Sequence, residues 1–181
     1  MKTVSDTCEC EWFALRDLKR YNALSPAWKS LTEKGFEVFT PMHWRIFELR
    51  GKKIRKYVPV IQDLVFVYST REKLDPVILS TETLQYRFVK NCKGQPMTVP
   101  SHDMNRFIQA VNDTEKITFY APDELTTDKI GRKVRIIGGR LNGYEGNLLS
   151  LRGSKFRRLI VELPEFLYAC VEINPEYIQI L

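Results

Sequence analysis

The pattern of apolar and polar residues changes its period several times along the N-terminal half of the chain. Residues 12–18 form a short apolar run that ends in charge, and residues 64–68 are continuously apolar. Both runs predict strands, and the second is typical of a central strand buried on both faces. Between them, Ser25 and Pro26 are typical of a helix start, and Gly35 is typical of its end.

The segment between this helix and the central strand predicts a hairpin. Residues 36–69 are dense in aromatic and β-branched side chains, which favour strands. Arg50, Gly51, Lys52 and Lys53 lie between two alternating runs within that segment. Charge and glycine at such a point predict the exposed tip of the hairpin.

Helical spacing returns after the central strand. Residues 74–84 predict a second helix that starts at Asp75 and Pro76, and residues 85–91 and 95–100 predict two strands around Gly94. Ser101 predicts the cap of a third helix, whose apolar residues have the i, i+3, i+4, i+7 spacing: Met104, Phe107, Ile108 and Val111. Helical and strand periods in one segment predict an α+β domain over residues 12–112.

The C-terminal part predicts strands alone. Residues 113–127 are polar and predict a linker, and the polar residues 1–11 predict a disordered tail. Five short apolar runs then follow within residues 128–181: KVRII, GNLLSL, RRLIVEL, ACVEI and YIQIL. Such closely spaced strands predict a small barrel. Four glycines lie between its first two strands and predict tight turning of the backbone there: Gly138, Gly139, Gly143 and Gly146.

The composition is typical of a globular protein without a membrane span, and the net charge is compatible with nucleic-acid binding. The 181 residues are 44% hydrophobic, which is typical of a globular chain of one or two domains. No apolar run approaches the roughly 20 residues of a membrane span, and the N-terminus has no hydrophobic signal region. We therefore expect no membrane association and a cytoplasmic location. The net charge of +6 is compatible with nucleic-acid binding.

No pattern in the sequence points to catalysis. His43 lies in an aromatic run and His102 lies near a predicted helix start, and neither has an evident Cys, Asp or Ser partner. The cysteines have no zinc-site spacing and are predicted to be inert thiols: Cys8, Cys10, Cys92 and Cys170. We therefore expect no enzyme activity, no metal and no cofactor.

The glycines of the C-terminal part also carry a resemblance to a known family. From Gly131 to Gly146 the chain reads G-x-x-V-x-I-x-x-G-x-x-x-G-x-x-G, which resembles a KOW motif. The resemblance implies an SH3-like barrel of five strands, in which the glycines carry the first strand round into the second.

The N-terminal part resembles the NGN domain of NusG-like transcription elongation factors. The matching residues are Trp12 and Phe13, Thr40 and Pro41, the tip at residues 50–53, Pro59, residues 64–67, and Val99 with Pro100. The spacing from the tip to Pro59 especially resembles the specialised paralogs RfaH and the UpxY-type proteins. Residues 61–64, Ile-Gln-Asp-Leu, replace a Phe-Pro-Gly-Tyr or Phe-Pro-Asn-Tyr turn of the family, and this departure also favours a specialised paralog.

The resemblance implies a regulator of transcription with an NGN domain followed by a KOW barrel. An NGN domain docks an apolar groove onto the clamp helices of RNA polymerase, holds the clamp closed, and so suppresses pausing or termination. The UpxY-type relatives imply that it acts on operons for surface polysaccharide. The residues that match the groove are Trp12, Arg16, Ile61, Leu64, Leu84 and Tyr86. Trp12 and Leu64 fit a plain core position equally well.

The resemblance also implies contacts with nucleic acid and with other proteins. In specialised members the region around the first helix touches the non-template DNA strand. The corresponding residues, which we call the basic set, are Lys19, Arg20, Lys29 and Lys34. Solvated charges on the surface of a helix explain each of these residues equally well. The tip at residues 50–53, with Arg55 and Lys56, fits contact with polymerase or nucleic acid, or simple protection of a strand edge. In the barrel, Leu141, Tyr144 and Phe166 match the residues that bind Rho or a small-subunit ribosomal protein.

Two other classes of function stay open at this point. A ribosome-associated KOW protein would bind RNA through its basic patches and would have no affinity for polymerase. An enzyme with a KOW appendage would require a catalytic pocket.

Overall fold

In the computed structural model, which describes residues 9–20, 23–112 and 116–181, the chain forms two units, Met1–Pro100 and Ser101–Leu181. We call them the first unit and the second unit. Most of the predicted tail, residues 1–8, lies outside the described residues, and this part includes Cys8. The predicted boundary after residue 112 differs from this division, because the third helix belongs to the second unit.

The first unit contains an antiparallel sheet, a separate two-stranded ribbon and two α-helices. Their bounds are β1 (Glu11–Asp17), α1 (Ala27–Glu33), β2 (Glu37–Phe39), β3 (Met42–Leu49), β4 (Lys52–Pro59), β5 (Leu64–Ser69), α2 (Arg71–Leu79), β6 (Leu84–Tyr86) and β7 (Thr98–Val99). The sheet has the order β2-β5-β1-β6, and β7 also pairs with β1. The run at residues 64–68 is therefore an interior strand, which confirms its prediction.

One core of the first unit lies between this sheet and its two helices. Phe13 and Leu15 of β1 lie opposite Val67 and Val65 of β5, and all four side chains are buried. Leu31 of α1 and the buried residues Ala27, Leu74 and Leu84 complete the cluster. Removal of this apolar surface from water is the main source of stability for such a layer.

The two helices confirm one prediction and correct another. Helix α1 ends before Gly35, whose φ of +86° is in the left-handed region that glycine tolerates. Helix α2 begins at Arg71 and not at Asp75, and it contains Pro76 within its length. The extended Thr70 precedes it, so the helix starts one turn earlier than the proline suggested. Leu84, the predicted end of that helix, begins strand β6 instead.

Strands β3 and β4 pair along their whole length and form the ribbon. The turn consists of Arg50 and Gly51, with φ values of +51° and +74°. Positive φ at both central residues is the geometry of a two-residue hairpin turn that matches the twist of the flanking strands. The predicted hairpin is confirmed, although Lys52 and Lys53 belong to β4 and not to the turn.

The second unit consists of one α-helix and a six-stranded antiparallel sheet. Its elements are α3 (Ser101–Asn112), β8 (Ile117–Tyr120), β9 (Ile130–Ile136), β10 (Glu145–Leu149), β11 (Arg157–Leu163), β12 (Leu167–Ile173) and β13 (Ile178–Ile180). The strand order is β13-β9-β10-β11-β12-β8. All five predicted strands are confirmed.

One feature of the second unit differs from the sequence-based expectations, and another agrees with them. The segment 113–127, predicted as a linker, contains β8, which pairs with β12, and the buried side chain of Leu125. Helix α3 has the predicted apolar face, and it packs against β11 and β12. Phe107 on that face is fully buried.

Gly138, Gly139 and Gly143 occupy the closed turn between β9 and β10, as predicted, whereas Gly146 lies within β10. Gly143 has a φ of +82°, and its N–H donates to the carbonyl of Ile136 at 2.7 Å. Gly138 has a different reason to be glycine, because a Cβ there would lie 2.6 Å from Cδ1 of Tyr177. Gly143 is therefore required by its positive φ, and Gly138 is required by the close packing of the Tyr177 ring.

The described residues contain neither a membrane-spanning helix nor a metal-binding group of side chains. None of the helices described is both long and apolar enough to cross a membrane. Within the same residues, no three His, Cys, Asp or Glu side chains form a group that could hold a metal ion. The thiols of Cys10, Cys92 and Cys170 are free, and only that of Cys170 is buried.

Candidate functional site

The predicted polymerase-binding residues divide into buried and accessible side chains. Trp12, Leu64 and Leu84 are only 3%, 0% and 3% exposed, so their side chains are part of the interior. Arg16 is exposed, and Ile61 and Tyr86 are half-buried. Arg16 lies at the end of β1, opposite Leu64 of β5, and Ile61 lies in the turn that precedes β5. The accessible members are therefore Arg16, Ile61 and Tyr86.

Asp63 forms two ion pairs, one with Arg16 and one with Arg87. Its Oδ2 accepts from Nε of Arg16 at 2.8 Å, and its Oδ1 accepts from Nη2 of Arg87 at 2.8 Å. Each carboxylate oxygen thus has its own guanidinium, and the turn at residues 61–64 is tied to β1 and to the segment after β6. Asp63 itself lies within the turn that precedes β5. Nothing in the spacing of Arg87 along the chain pointed to this contact.

Tyr86 is held in place by helix α2. Its hydroxyl donates to Oδ1 of Asp75 at 2.6 Å, and the guanidinium carbon of Arg71 lies 5.7 Å from the ring centroid. Burial raises the pKa of Tyr86 well above its ordinary value, the Asp75 carboxylate raises it further, and Arg71 opposes both effects. The phenol is therefore neutral at physiological pH and serves as a hydrogen-bond donor.

A cavity of about 470 Å³ lies between the end of β1, helix α1 and the base of the ribbon. Its lining combines cations with aromatic rings: Lys19, Arg20, Arg45, Trp28, Phe47 and Tyr57. Two members of the basic set, Lys19 and Arg20, are thus brought together with the ribbon. Lys29 and Lys34 are exposed and do not line this cavity. Cations interleaved with rings are typical of surfaces that bind single-stranded nucleic acid.

Asp17 fixes the wall of this cavity. Its Oδ2 accepts from the backbone N–H of Ala27 at 2.6 Å, and its Oδ1 accepts from the N–H of Lys19 at 3.0 Å. The side chain of Asp17 is buried and acts as the cap of α1, a role that the sequence had assigned to Ser25. A capping residue 10 positions away along the chain was not predictable from the local pattern.

The predicted partner-binding residues of the second unit are largely buried, and one of them contacts α3. Leu141 and Phe166 are each 8% exposed, and Tyr144 is half-buried. The guanidinium carbon of Arg106 lies 3.9 Å from the ring centroid of Tyr144, which is a cation–π contact. Burial raises the pKa of Tyr144, and the charge of Arg106 opposes that rise. Arg106, which the sequence did not single out, therefore belongs to this surface.

Comparisons with known proteins give the family. A family model described as "Transcription termination factor nusG" matches residues 10–108, more than half of the chain. A solved structure described as "Domain interaction in Thermotoga maritima NusG" shares the fold with a TM-score of 0.51. It is 14% identical in sequence, and the likeness covers 94% of this chain and 97% of that one. No curated protein matches the chain.

The fold and these matches define an α+β protein of the class of transcription factors. The chain belongs to the NusG family. Proteins of this family interact with RNA polymerase in general. The matched residues include β1 and the turn before β5, and therefore the surface formed by Arg16, Ile61 and Asp63.

Proposed function

We propose that the chain is a transcription elongation regulator that binds the clamp helices of RNA polymerase and suppresses pausing or termination. The family match over residues 10–108 carries this proposal, because it includes every residue of the predicted polymerase-binding surface. The matched region corresponds to an NGN domain, with 12–112 as its predicted range. Residues 128–181 then form a KOW barrel, and the whole protein works in the cytoplasm.

The polymerase contact is proposed to centre on Ile61. This side chain is accessible and apolar, and Arg16 and Asp63 form a charged pair beside it. An apolar residue within a polar rim is typical of a recognition surface. Trp12, Leu64 and Leu84 support the strands from within, and Tyr86 positions the edge strand. Binding suppresses pausing only if it favours the closed clamp over the open one, since a ligand shifts an equilibrium by its differential affinity.

The basic set is proposed to hold the non-template DNA strand. Lys19 and Arg20 line the cavity beside α1, and Lys29 and Lys34 are exposed on and after that helix. Phosphates attract such charges whatever the sequence, and added salt weakens the contact. The departure at residues 61–64 supports a specialised paralog of the RfaH or UpxY type, with polysaccharide operons as its targets.

The second unit is proposed to bind a further partner, Rho or a small-subunit ribosomal protein, through Leu141, Tyr144 and Phe166. Tyr144 is the most accessible of the three. Because Arg106 lies over its ring, a partner that stacks on the same face has to displace that guanidinium.

Replacement of Ile61 with aspartate is expected to reduce retention by purified core RNA polymerase at least about tenfold. A charge placed in an apolar contact has to be desolvated on binding, and a loss of about 1.4 kcal/mol already corresponds to a factor of ten. The measurement is a pull-down of the full chain with immobilised polymerase over a range of concentrations.

The matched control is Leu79→Asp, which makes the same change of character on α2 at a residue that is 85% exposed. We expect this control to be retained like the unmodified chain. Equal retention of Ile61→Asp, or no retention of the unmodified chain, contradicts the proposal. Binding to ribosomal RNA without binding to polymerase would favour the ribosome-associated alternative.

A further inference from the structure

The ribbon exposes a pair of aromatic side chains on one of its faces. Trp44 of β3 lies directly opposite Tyr57 of β4, and their ring centroids are 5.1 Å apart. Trp44 is 57% exposed and Tyr57 is 54% exposed, so more than half of each side chain remains in water. The next cross-strand pair on this face is Ile46 with Arg55, and Ile46 is 66% exposed. The ribbon therefore presents a continuous apolar and aromatic surface.

Positive charge runs along both faces of the ribbon, and on the Trp44–Tyr57 face it comes from Arg55 and Lys53. The guanidinium carbon of Arg55 lies 4.6 Å from the ring centroid of Trp44, so a base that stacks on the same face of this ring has to displace it. Between residues 42 and 59, six basic residues accompany a single acidic one, Glu48: Arg45, Arg50, Lys52, Lys53, Arg55 and Lys56. Such an excess of cations repels basic partners and attracts a polyanion. A ligand that matches both the exposed rings and the excess of cations has a negatively charged backbone and flat apolar groups.

Unpaired bases on a nucleic-acid strand meet both requirements. Every base has a π-face that stacks on Trp or Tyr, and the phosphates between bases are attracted by the neighbouring cations. In a duplex the base faces are already stacked on one another, so the aromatic pair selects a single strand. An acidic protein would satisfy the charge but would not require two adjacent exposed rings.

We infer that the Trp44–Tyr57 face of the ribbon is a stacking platform for unpaired bases of single-stranded DNA. Tyr57 belongs to this face and also lines the cavity that contains Lys19 and Arg20. The platform therefore meets, at Tyr57 alone, the cavity whose cations are assigned above to the non-template strand. The choice of DNA over RNA rests on that proposed function, whereas the stacking itself rests on the geometry of the ribbon.

Binding of a labelled oligodeoxythymidylate of about 12 nucleotides, followed by fluorescence anisotropy, tests this inference on the full chain. We expect Trp44→Ala to weaken binding about five- to a hundredfold, which is the range for loss of one stacked base. Trp44→Phe should restore part of the affinity, because the ring is retained. The dependence of affinity on salt should be the same in Trp44→Ala and in the unmodified chain, since no phosphate contact is removed.

A probe with the same number of phosphates but without bases separates stacking from charge. We expect the unmodified chain to bind this abasic strand more weakly than the thymidylate, and Trp44→Ala to show a smaller difference between the two strands, because only Tyr57 still stacks. The matched control variant is Phe156→Ala. Phe156 is 53% exposed, and Lys116 and Arg158 lie 5.4 Å and 6.0 Å from its ring, but it belongs to the second unit. Its replacement should leave the affinity for thymidylate unchanged.

Three results would overturn the inference. They are equal affinity of the unmodified chain for the abasic strand, unchanged affinity of Trp44→Ala, and tighter binding of oligouridylate RNA than of the DNA. These results are independent of the polymerase pull-down. Loss of polymerase retention together with intact Trp44-dependent DNA binding would reject the proposed function alone, and the opposite combination would reject the platform alone.

Discussion

Replacement of Leu64 with alanine is expected to lower the free energy of unfolding of the first unit by about 2–5 kcal/mol. Leu64 is fully buried at the start of the interior strand β5, opposite Arg16 of β1. The smaller side chain loses the transfer free energy of the removed carbons and leaves a cavity that its neighbours fill only in part. All three tryptophans lie in the first unit, at positions 12, 28 and 44. Intrinsic tryptophan fluorescence during urea unfolding therefore measures this unit.

The control for that experiment is Leu79→Ala on helix α2. Leu79 is 85% exposed, and a surface change of this kind is expected to alter stability by less than about 0.5 kcal/mol. Equal stabilities of the two variants would contradict the interior placement of Leu64. If the difference is found, loss of polymerase binding in a Leu64 variant reports damage to the fold. Ile61 is therefore the residue whose replacement tests the contact itself.

The thiol of Cys170 is expected to react with iodoacetamide at pH 8 at least about a thousandfold more slowly than those of Cys10 and Cys92. Burial raises the pKa of Cys170 to about 12, an effect that Arg158 opposes. At pH 8 a thiol with that pKa is a thiolate in only about one molecule in 10⁴, and the thiolate is the reactive form. Cys170 also lies within β12, paired with both β11 and β8, so a reagent has to wait for the sheet to open.

Peptide mass mapping after timed alkylation checks this prediction for each cysteine separately. Alkylation in concentrated guanidinium is the internal control, because unfolding removes the burial and should make the reaction rates similar. Labelling of Cys170 in the native protein as fast as that of Cys92 would show that this part of the second unit is not closed.

The elements with strong local signals were predictable from the sequence. The continuous apolar run of β5 predicted an interior strand, and Arg50 with Gly51 predicted the hairpin turn. Strand β8 was missed because its four residues, Ile117–Tyr120, stand within a polar segment and depend on pairing with β12. The start of α2 was misplaced because Pro76 suggested a helix start, while tertiary packing of Leu74 favoured an earlier one.

The strands that carry the candidate residues were predictable from the sequence, but the exposure and the contacts of those residues were not. An alternating strand shows which residues share a face, but it does not show whether that face is covered, and both faces of β1 are buried at Trp12 and Phe13. The two ion pairs of Asp63 join residues 47 and 24 positions apart, which no local pattern reveals. Exposure of Trp44 and Tyr57 likewise follows from the pairing of β3 with β4 alone, apart from the main sheet.

The most direct test of polymerase binding and pause suppression is the lifetime of a transcription complex at a defined pause. Purified core RNA polymerase is halted on a template, restarted with all four nucleotides, and followed by the length of the transcript. We expect the unmodified chain to shorten the pause several-fold, Leu79→Asp to act alike, and Ile61→Asp to leave the pause as it is without the protein. An unchanged pause in the presence of the unmodified chain, or equal shortening by Ile61→Asp, would contradict the proposed role.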